Sequence, residues 1–125
     1  MAIADFNYNI RRIDSDNGIV AVDLVGAIFV SNIGDFGEIF DVLHTMKLRD
    51  VILNFEELDF ISSSGIGQVV DMNNRLERGR VRLWVSDVCP EIANVFTQLS
   101  IEEIVRVMPT EKLVLKKISE IGPPA

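Results

Sequence analysis

Thiol and imidazole side chains are almost missing from this sequence, which contains one cysteine, Cys89, and one histidine, His44. A lone cysteine cannot form a disulfide within the chain, so nothing in the sequence calls for an oxidising compartment. One cysteine and one histidine also cannot supply the several ligands of a Cys/His zinc site. We therefore expect a cytoplasmic protein with no metal centre and no cofactor.

Basic residues are the next shortage. The 125 residues include 12 Lys+Arg against 19 Asp+Glu, a formal net charge of −7. Nucleic acids and anionic membranes are bound through clusters of Lys and Arg, so this balance argues against both as partners. Hydrophobic residues at 48% and charged residues at 25% are ordinary for a globular protein. This length predicts a single domain over residues 1–125, with its core at about 6–118.

Long apolar runs are also absent. The longest tracts, at 19–25 and 26–30, are interrupted by Asp23 and Gly26, and neither approaches the roughly 20 residues of a membrane span. The first residues, 1–6, lack the basic region of a signal peptide and reach an acid early. We expect neither membrane insertion nor a secretion signal.

The hydropathy pattern predicts an alternation of strands and helices. Phe6, Tyr8 and Ile10 alternate with polar residues as in a half-buried strand. Asn17-Gly18 suits the two positive-φ positions of a hairpin turn into a second strand at 19–25. Apolar residues at three- and four-residue spacing then predict four helices, separated by short apolar strands. Gly79 is predicted to end the second helix, Pro90 to begin the third, and Thr110 to cap the start of the fourth.

The predicted fold class is therefore α/β, in the order β-β-α-β-α-β-α-β-α. Strands separated by helices imply right-handed crossovers and parallel neighbours, while the opening hairpin is antiparallel. The result is a mixed, mostly parallel five-stranded sheet with about four helices. In this scheme the third strand is short, Val51-Ile52-Leu53, and Glu56, Glu57 and Asp59 follow on a solvated loop.

One segment stands out for chemistry: Ser62-Ser63-Ser64-Gly65-Ile66-Gly67, between a predicted strand and a predicted helix. Free backbone N–H groups and the positive end of the helix dipole converge there, which suits a phosphate, bound or covalently attached. Serine is also a preferred N-cap, but a cap needs only one serine. From the residues alone, helix capping and a phosphate site both stay open.

Catalysis is not expected, and we assign no catalytic residue. The serines do not fit the G-x-S-x-G pattern of a nucleophile elbow. Activation of a serine needs a base, and His44 sits near the end of the first predicted helix, where it suits the helix dipole. The sequence has no G-x4-G-K-[ST] P-loop. Trp84 and Cys89 are predicted as packing residues.

The run from Val51 to Gly67 resembles the STAS domain of anti-sigma-factor antagonists. In that family a strand, a short acidic loop and an apolar pair lead into a D-S-S-G-L-G or D-S-T-G-L-G motif. Two further segments carry the resemblance: Val22-x-Leu24-x-Gly26, similar to the family's L-x-G-E-L-D segment, and Pro90-x-Ile92-x3-Phe96-x2-Leu99, similar to its third helix. The resemblance covers about residues 6–118.

The resemblance implies a bacterial regulatory module of transcription that binds a protein rather than a substrate. In the family, the serine after the motif's Asp is phosphorylated by a partner that is both anti-sigma factor and serine kinase, and a phosphatase reverses this. Aligned on Gly65-x-Gly67, the phosphoacceptor is Ser63, and Ser62, Ser64, Gly65, Ile66 and Gly67 form the motif that meets the partner.

Two positions depart from the family pattern. Ser62 stands where the motif has Asp, and Phe29 stands where the L-x-G-E-L-D segment has its Asp. Kinase recognition depends on placed charge around the acceptor hydroxyl. The alternative is therefore an unphosphorylated STAS scaffold or accessory subunit of a sensory or transport complex. The sequence names neither the partner nor the oligomeric state.

Overall fold

A computed structural model of the chain describes residues 5–124 and contains the predicted elements in the predicted order. Most of segment 1–6, on which the expectation of no signal peptide depends, lies outside the described residues. The strands are β1 (Phe6–Asp14), β2 (Ile19–Ile28), β3 (Asp50–Ile61), β4 (Arg82–Ser86) and β5 (Arg106–Met108). The helices are α1 (Ile33–His44), α2 (Ser63–Arg78), α3 (Pro90–Gln98) and α4 (Glu111–Ile121).

The five strands form one sheet in the order β1-β2-β3-β4-β5. β1 and β2 pair antiparallel, and each later neighbour pairs parallel. The predicted α/β class and the mixed, mostly parallel sheet are confirmed. Because strand order follows chain order, β3 lies at the centre, and its carboxyl end leads directly into α2.

Helices cover both faces of this sheet. The larger core joins one face to α1, α2 and α3, through buried side chains such as Phe36, Ile66 and Phe96. The smaller core joins the other face to α4, where Val114 and Ile118 pack near Trp84. Trp84 is therefore a core residue, as predicted. No helix within residues 5–124 is long and apolar enough to cross a membrane.

The third strand is longer than the sequence predicts. β3 continues through the acidic segment to Ile61, so Glu56, Glu57 and Asp59 lie on a strand and not on a loop. Pairing with β4 ends at Asn54, whereas pairing with β2 continues to Ile61 through two register shifts. The distal half of β3 thus has one free edge, and the bulges break the alternation that would have revealed it.

The β1–β2 turn also differs in detail. Gly18 has a φ of +69°, but Asn17 is not among the positive-φ residues of the described chain. Asn17 instead donates from its backbone N–H and its Nδ2 to the Asp14 carboxylate, at 3.1 and 2.7 Å. These two hydrogen bonds hold the pKa of Asp14 below its usual value.

A buried ion pair fixes the amino end of the central strand. Asp50, fully buried, receives two hydrogen bonds from Arg82, at 2.7 and 2.9 Å, and one from Trp84 Nε1 at 2.8 Å. Arg82 also donates to the Gly122 carbonyl at 2.7 Å, just beyond α4. The bidentate geometry satisfies both carboxylate oxygens, which offsets the cost of burying the charge.

Arg82→Met should destabilise the protein by about 3–5 kcal/mol, because it leaves the buried Asp50 carboxylate without its bidentate partner. Urea denaturation followed by circular dichroism measures this change. Arg12→Met, at an exposed position on β1, removes the same charge and should stay within about 0.5 kcal/mol of wild type. Equal effects of the two substitutions would contradict the role given to this ion pair.

Candidate functional site

The three serines lie where the central strand turns into α2. Ser62 is the N-cap of α2, and its Oγ accepts a hydrogen bond from the Gly65 N–H at 3.1 Å. The Ser62 N–H donates to the Ile28 carbonyl at 2.8 Å, which ties the turn to the end of β2. One serine is thus used for capping, as its preference predicts.

The other two serines are not used as the cap. Ser63 and Ser64 are exposed in the first turn of α2, while Gly65 and Ile66 point into the core. Gly67 is exposed. Of the six predicted motif residues, three therefore present polar or small groups to solvent, two anchor the helix, and Ser62 joins the helix to the sheet.

Glycine at position 65 is required by the closeness of helix and sheet. A Cβ there would lie 2.6 Å from Ile61 Cγ1 and 3.0 Å from Ile28 Cγ2. Gly67 has no atom within 4 Å of the corresponding position. The Gly-x-Gly spacing therefore contains one glycine needed for packing and one that faces open solvent.

An exposed apolar surface, which no pattern in the sequence predicts, borders the serine turn. We call Phe29, Val30 and Phe60 the aromatic patch. The Phe29 and Phe60 rings stack at 5.2 Å between centroids, with 29° between planes. Phe60 is 46% exposed and Val30 is 67% exposed. Phe29 follows β2 and Phe60 lies near the end of β3. Both therefore lie beside the hydrogen bond from the Ser62 N–H to the Ile28 carbonyl.

Asn32 fixes the segment that carries Phe29. Its Oδ1 accepts from the Phe29 N–H at 2.8 Å, and its Nδ2 donates to the Ala27 carbonyl at 3.0 Å. Asn32 is the N-cap residue of α1, but its side chain makes no capping hydrogen bond to that helix. The Asn32 side chain therefore shapes the loop before α1 and does not cap the helix.

The other candidates lie away from the serine turn or lack the geometry of a site. His44 lies in the last turn of α1, as expected, and lines a cavity with Arg75 and Arg78 at the far end of α2. Ser63 and Arg75 are twelve residues apart, about 18 Å along a helix. The chain's one imidazole is thus remote from the serines. Within residues 5–124, no group of three acidic, His or Cys side chains is placed to hold a metal ion.

Comparison with known proteins agrees with this architecture. A family model described as the STAS domain matches residues 11–114. The chain belongs to the STAS domain family. The match begins partway along β1 and ends in α4, so it includes all of β2 to β5 and the serine turn.

Solved STAS-like structures share the fold at low sequence identity. The anti-sigma factor antagonist SpoIIAA in its unphosphorylated form is 20% identical, with a TM-score of 0.74 over 93% of this chain and 99% of that one. An anti-sigma factor antagonist from Mycobacterium paratuberculosis is 12% identical, with a TM-score of 0.81 over 92% and 95%. The Bacillus cell fate determinant SpoIIAA in its phosphorylated form is 19% identical, with a TM-score of 0.67 over 90% and 99%.

In this STAS domain, the two departures from the family motif have different structural consequences. Ser62 accepts the capping hydrogen bond that an Asp can also accept, so the turn is kept without the charge. Phe29 places an aromatic ring against Phe60 instead of a carboxylate. The surface around the serine turn is therefore more apolar than the family motif implies.

Gly65→Ala should destabilise this STAS domain by about 1–3 kcal/mol, because the added methyl group would overlap Ile61 and Ile28. The matched control is Gly67→Ala, two residues along the same helix, which should stabilise by about 1 kcal/mol through helix propensity. Thermal unfolding compares the two. Changes of the same sign would contradict the proposed close contact.

Ser62→Ala should cost about 1 kcal/mol through loss of the N-cap, whereas Ser62→Asp should keep wild-type stability. An added carboxylate at that position also interacts favourably with the helix dipole. Ser64→Ala, at the exposed neighbouring position, should change stability by less than about 0.5 kcal/mol. Denaturant titration of the three variants tests this, and a Ser62→Ala protein as stable as Ser64→Ala would exclude the capping role.

Proposed function

We propose that this protein is a regulatory protein-binding module, an anti-sigma-factor antagonist in a partner-switching pathway, with Ser63 as its phosphorylation switch. The proposed partner is an anti-sigma factor that is also a serine kinase, and a phosphatase reverses the modification. We propose no catalytic activity for the chain itself. The support comes from family membership, from the fold shared with anti-sigma factor antagonists, and from the geometry of the serine turn.

Ser63 is chosen by aligning the motif on Gly65-x-Gly67, and one structural observation supports that choice. Ser62 supplies the N-cap, so the exposed Ser63 hydroxyl is not needed to hold the helix start. A kinase could therefore modify Ser63 without breaking the cap. A phosphate would add a charge of about −1.5 to −2 at the positive end of the α2 dipole, where an anion is favourable. The expected effect is a change of surface, with the fold retained.

The charge around the turn indicates how such a change would act. Glu56, Glu57 and Asp59 are exposed on the strand that leads to the serines, and the chain has a net charge of −7. A partner that binds here would offer a complementary basic surface. An added phosphate would alter both charge and bulk at the centre of that contact.

The aromatic patch supports a contact with an apolar part as well. The stacked rings of exposed Phe60 and half-buried Phe29, beside the serine turn, can anchor a partner surface. The family motif has Asp at the positions of Ser62 and Phe29. We propose that apolar contacts of this patch replace part of the partner binding that those two charges would provide.

The same observation favours the second candidate function. A surface held by apolar contacts does not require phosphorylation, and the two missing acids would weaken recognition by a kinase that relies on them. The alternative is a STAS scaffold or accessory subunit of a sensory or transport complex, indifferent to modification at Ser63.

Affinity purification from the cells that express the protein separates these functions. Ser63→Asp should lose the partner that wild type and Ser63→Ala retain. Ser64→Asp is the matched control, because it adds the same charge one residue along the same exposed turn. Phosphopeptide mapping of the purified wild type should place the phosphate on Ser63.

A partner retained equally by wild type, Ser63→Asp and Ser64→Asp would contradict the phosphorylation switch at Ser63 and would support the scaffold function. Equal loss in both Asp variants would show sensitivity to charge near the turn without a specific role for Ser63.

A further inference from the structure

A concave surface lies at the opposite end of the α1–α2 pair from the serines. It is a cavity of about 880 Å³ formed where both helices end, beside the β1–β2 turn and the loop that enters β3. Pockets of about 300–1,000 Å³ are the size that small organic ligands occupy. We propose that this cavity binds a small amphiphilic anion, a carboxylate attached to an apolar body.

The walls supply the apolar part of the proposed site. Leu43 and Leu76 are buried at its base, and four further apolar side chains around it are only half-buried: Phe40, Met46, Leu48 and Val81. These four pack against the main core on one side and remain partly open on the other. An apolar body placed there would remove this surface from water, which is favourable in proportion to the area covered.

The rim supplies positive charge in a chain that has little of it. Four of the 12 Lys+Arg line the cavity together with His44, against one of the 19 Asp+Glu, Asp16. The lining cations are Lys47, Arg49, Arg75 and Arg78. An acidic protein thus collects a third of its Lys and Arg around one cavity, which selects for an anion.

Interaction with the helix dipoles explains only some of the cations around the cavity. His44, Arg75 and Arg78 lie in the last turns of α1 and α2, where cations favour the helix dipole. Lys47 and Arg49 lie after α1 ends, so the helix dipole does not account for them, although Arg49 also approaches Asp50. Helix dipoles also do not account for the half-buried apolar walls. The combination of both features in one cavity points to a ligand.

Existing contacts show which cations remain available. Arg75 pairs with Asp71 at 3.0 Å, and Arg49 approaches Asp50 at 3.5 Å. Among the residues that the structure describes, Lys47 and Arg78 form no ion pair. Phe40 is already contacted by the Arg75 guanidinium, at 5.4 Å from the ring centroid, and by the His44 ring at 5.8 Å. The ligand's carboxylate is therefore assigned to Lys47 and Arg78, and its apolar body to the wall beside Phe40.

Nuclear magnetic resonance titration with octanoate, below its micelle concentration, tests this site. Octanoate should give saturable amide shifts in residues 43–49 and 75–81, and octan-1-ol of the same chain length should bind more weakly. Arg78→Gln should weaken octanoate binding, and Arg78→Glu should weaken it further, by about five- to tenfold. Lys116→Glu changes the net charge by the same amount at an exposed position on α4, and this variant should bind octanoate as tightly as wild type.

Three outcomes would overturn the proposal. The first is the absence of any saturable shift, and the second is equal binding by Arg78→Glu and Lys116→Glu. The third is that the shifts fall on Phe29, Val30 and Phe60 instead, which would mean that the probe recognises the aromatic patch. None of these results bears on the switch at Ser63.

Discussion

The contact between Gly65 and the sheet governs where the rest of the site lies. Because position 65 has no side chain, the first turn of α2 lies directly on Ile28 and Ile61, at the ends of two parallel strands. That approach places the Ser62 N–H against the Ile28 carbonyl and turns Ser63 and Ser64 outward. A larger residue would shift the helix and move both hydroxyls away from the edge of the sheet. The exposed serines are thus a consequence of backbone packing.

Charge and apolar surface are distributed unevenly along the α1–α2 layer. At the amino end of α2, an acidic strand and the aromatic patch surround the exposed serines. At the carboxyl ends of α1 and α2, cations surround a cavity with apolar walls. The net charge of −7 gives no indication of this difference between the two ends. The ligands that we propose for the two ends differ accordingly: a protein with a basic, partly apolar surface at one end, and a small anion at the other.

The elements most accurately predicted from the sequence are those with regular periodicity and local end signals. Gly79 marks the end of α2, and Pro90 and Thr110 mark the starts of α3 and α4, as expected. Helical spacing gives the buried face of α2, but on α3 only Ile92 and Phe96 are buried, whereas Leu99 is exposed. The length of β3 was predicted wrongly, because bulges interrupt its alternation and its exposed acids resemble a loop. Asn73 conflicts with the apolar face of α2, yet its amide donates to the Ile104 carbonyl at 3.3 Å. The aromatic patch and the basic cavity depend on residues distant in sequence, so no local pattern reveals them.

The central claim is that the serine turn is the surface that a protein partner covers. Amide hydrogen exchange of the chain, free and in complex with the partner it captures, tests this claim most directly. We expect slower exchange in residues 29–33 and 60–67 on binding, with the strongest protection around Ser63. Unchanged exchange in both segments, with protection confined to other surfaces, would contradict it.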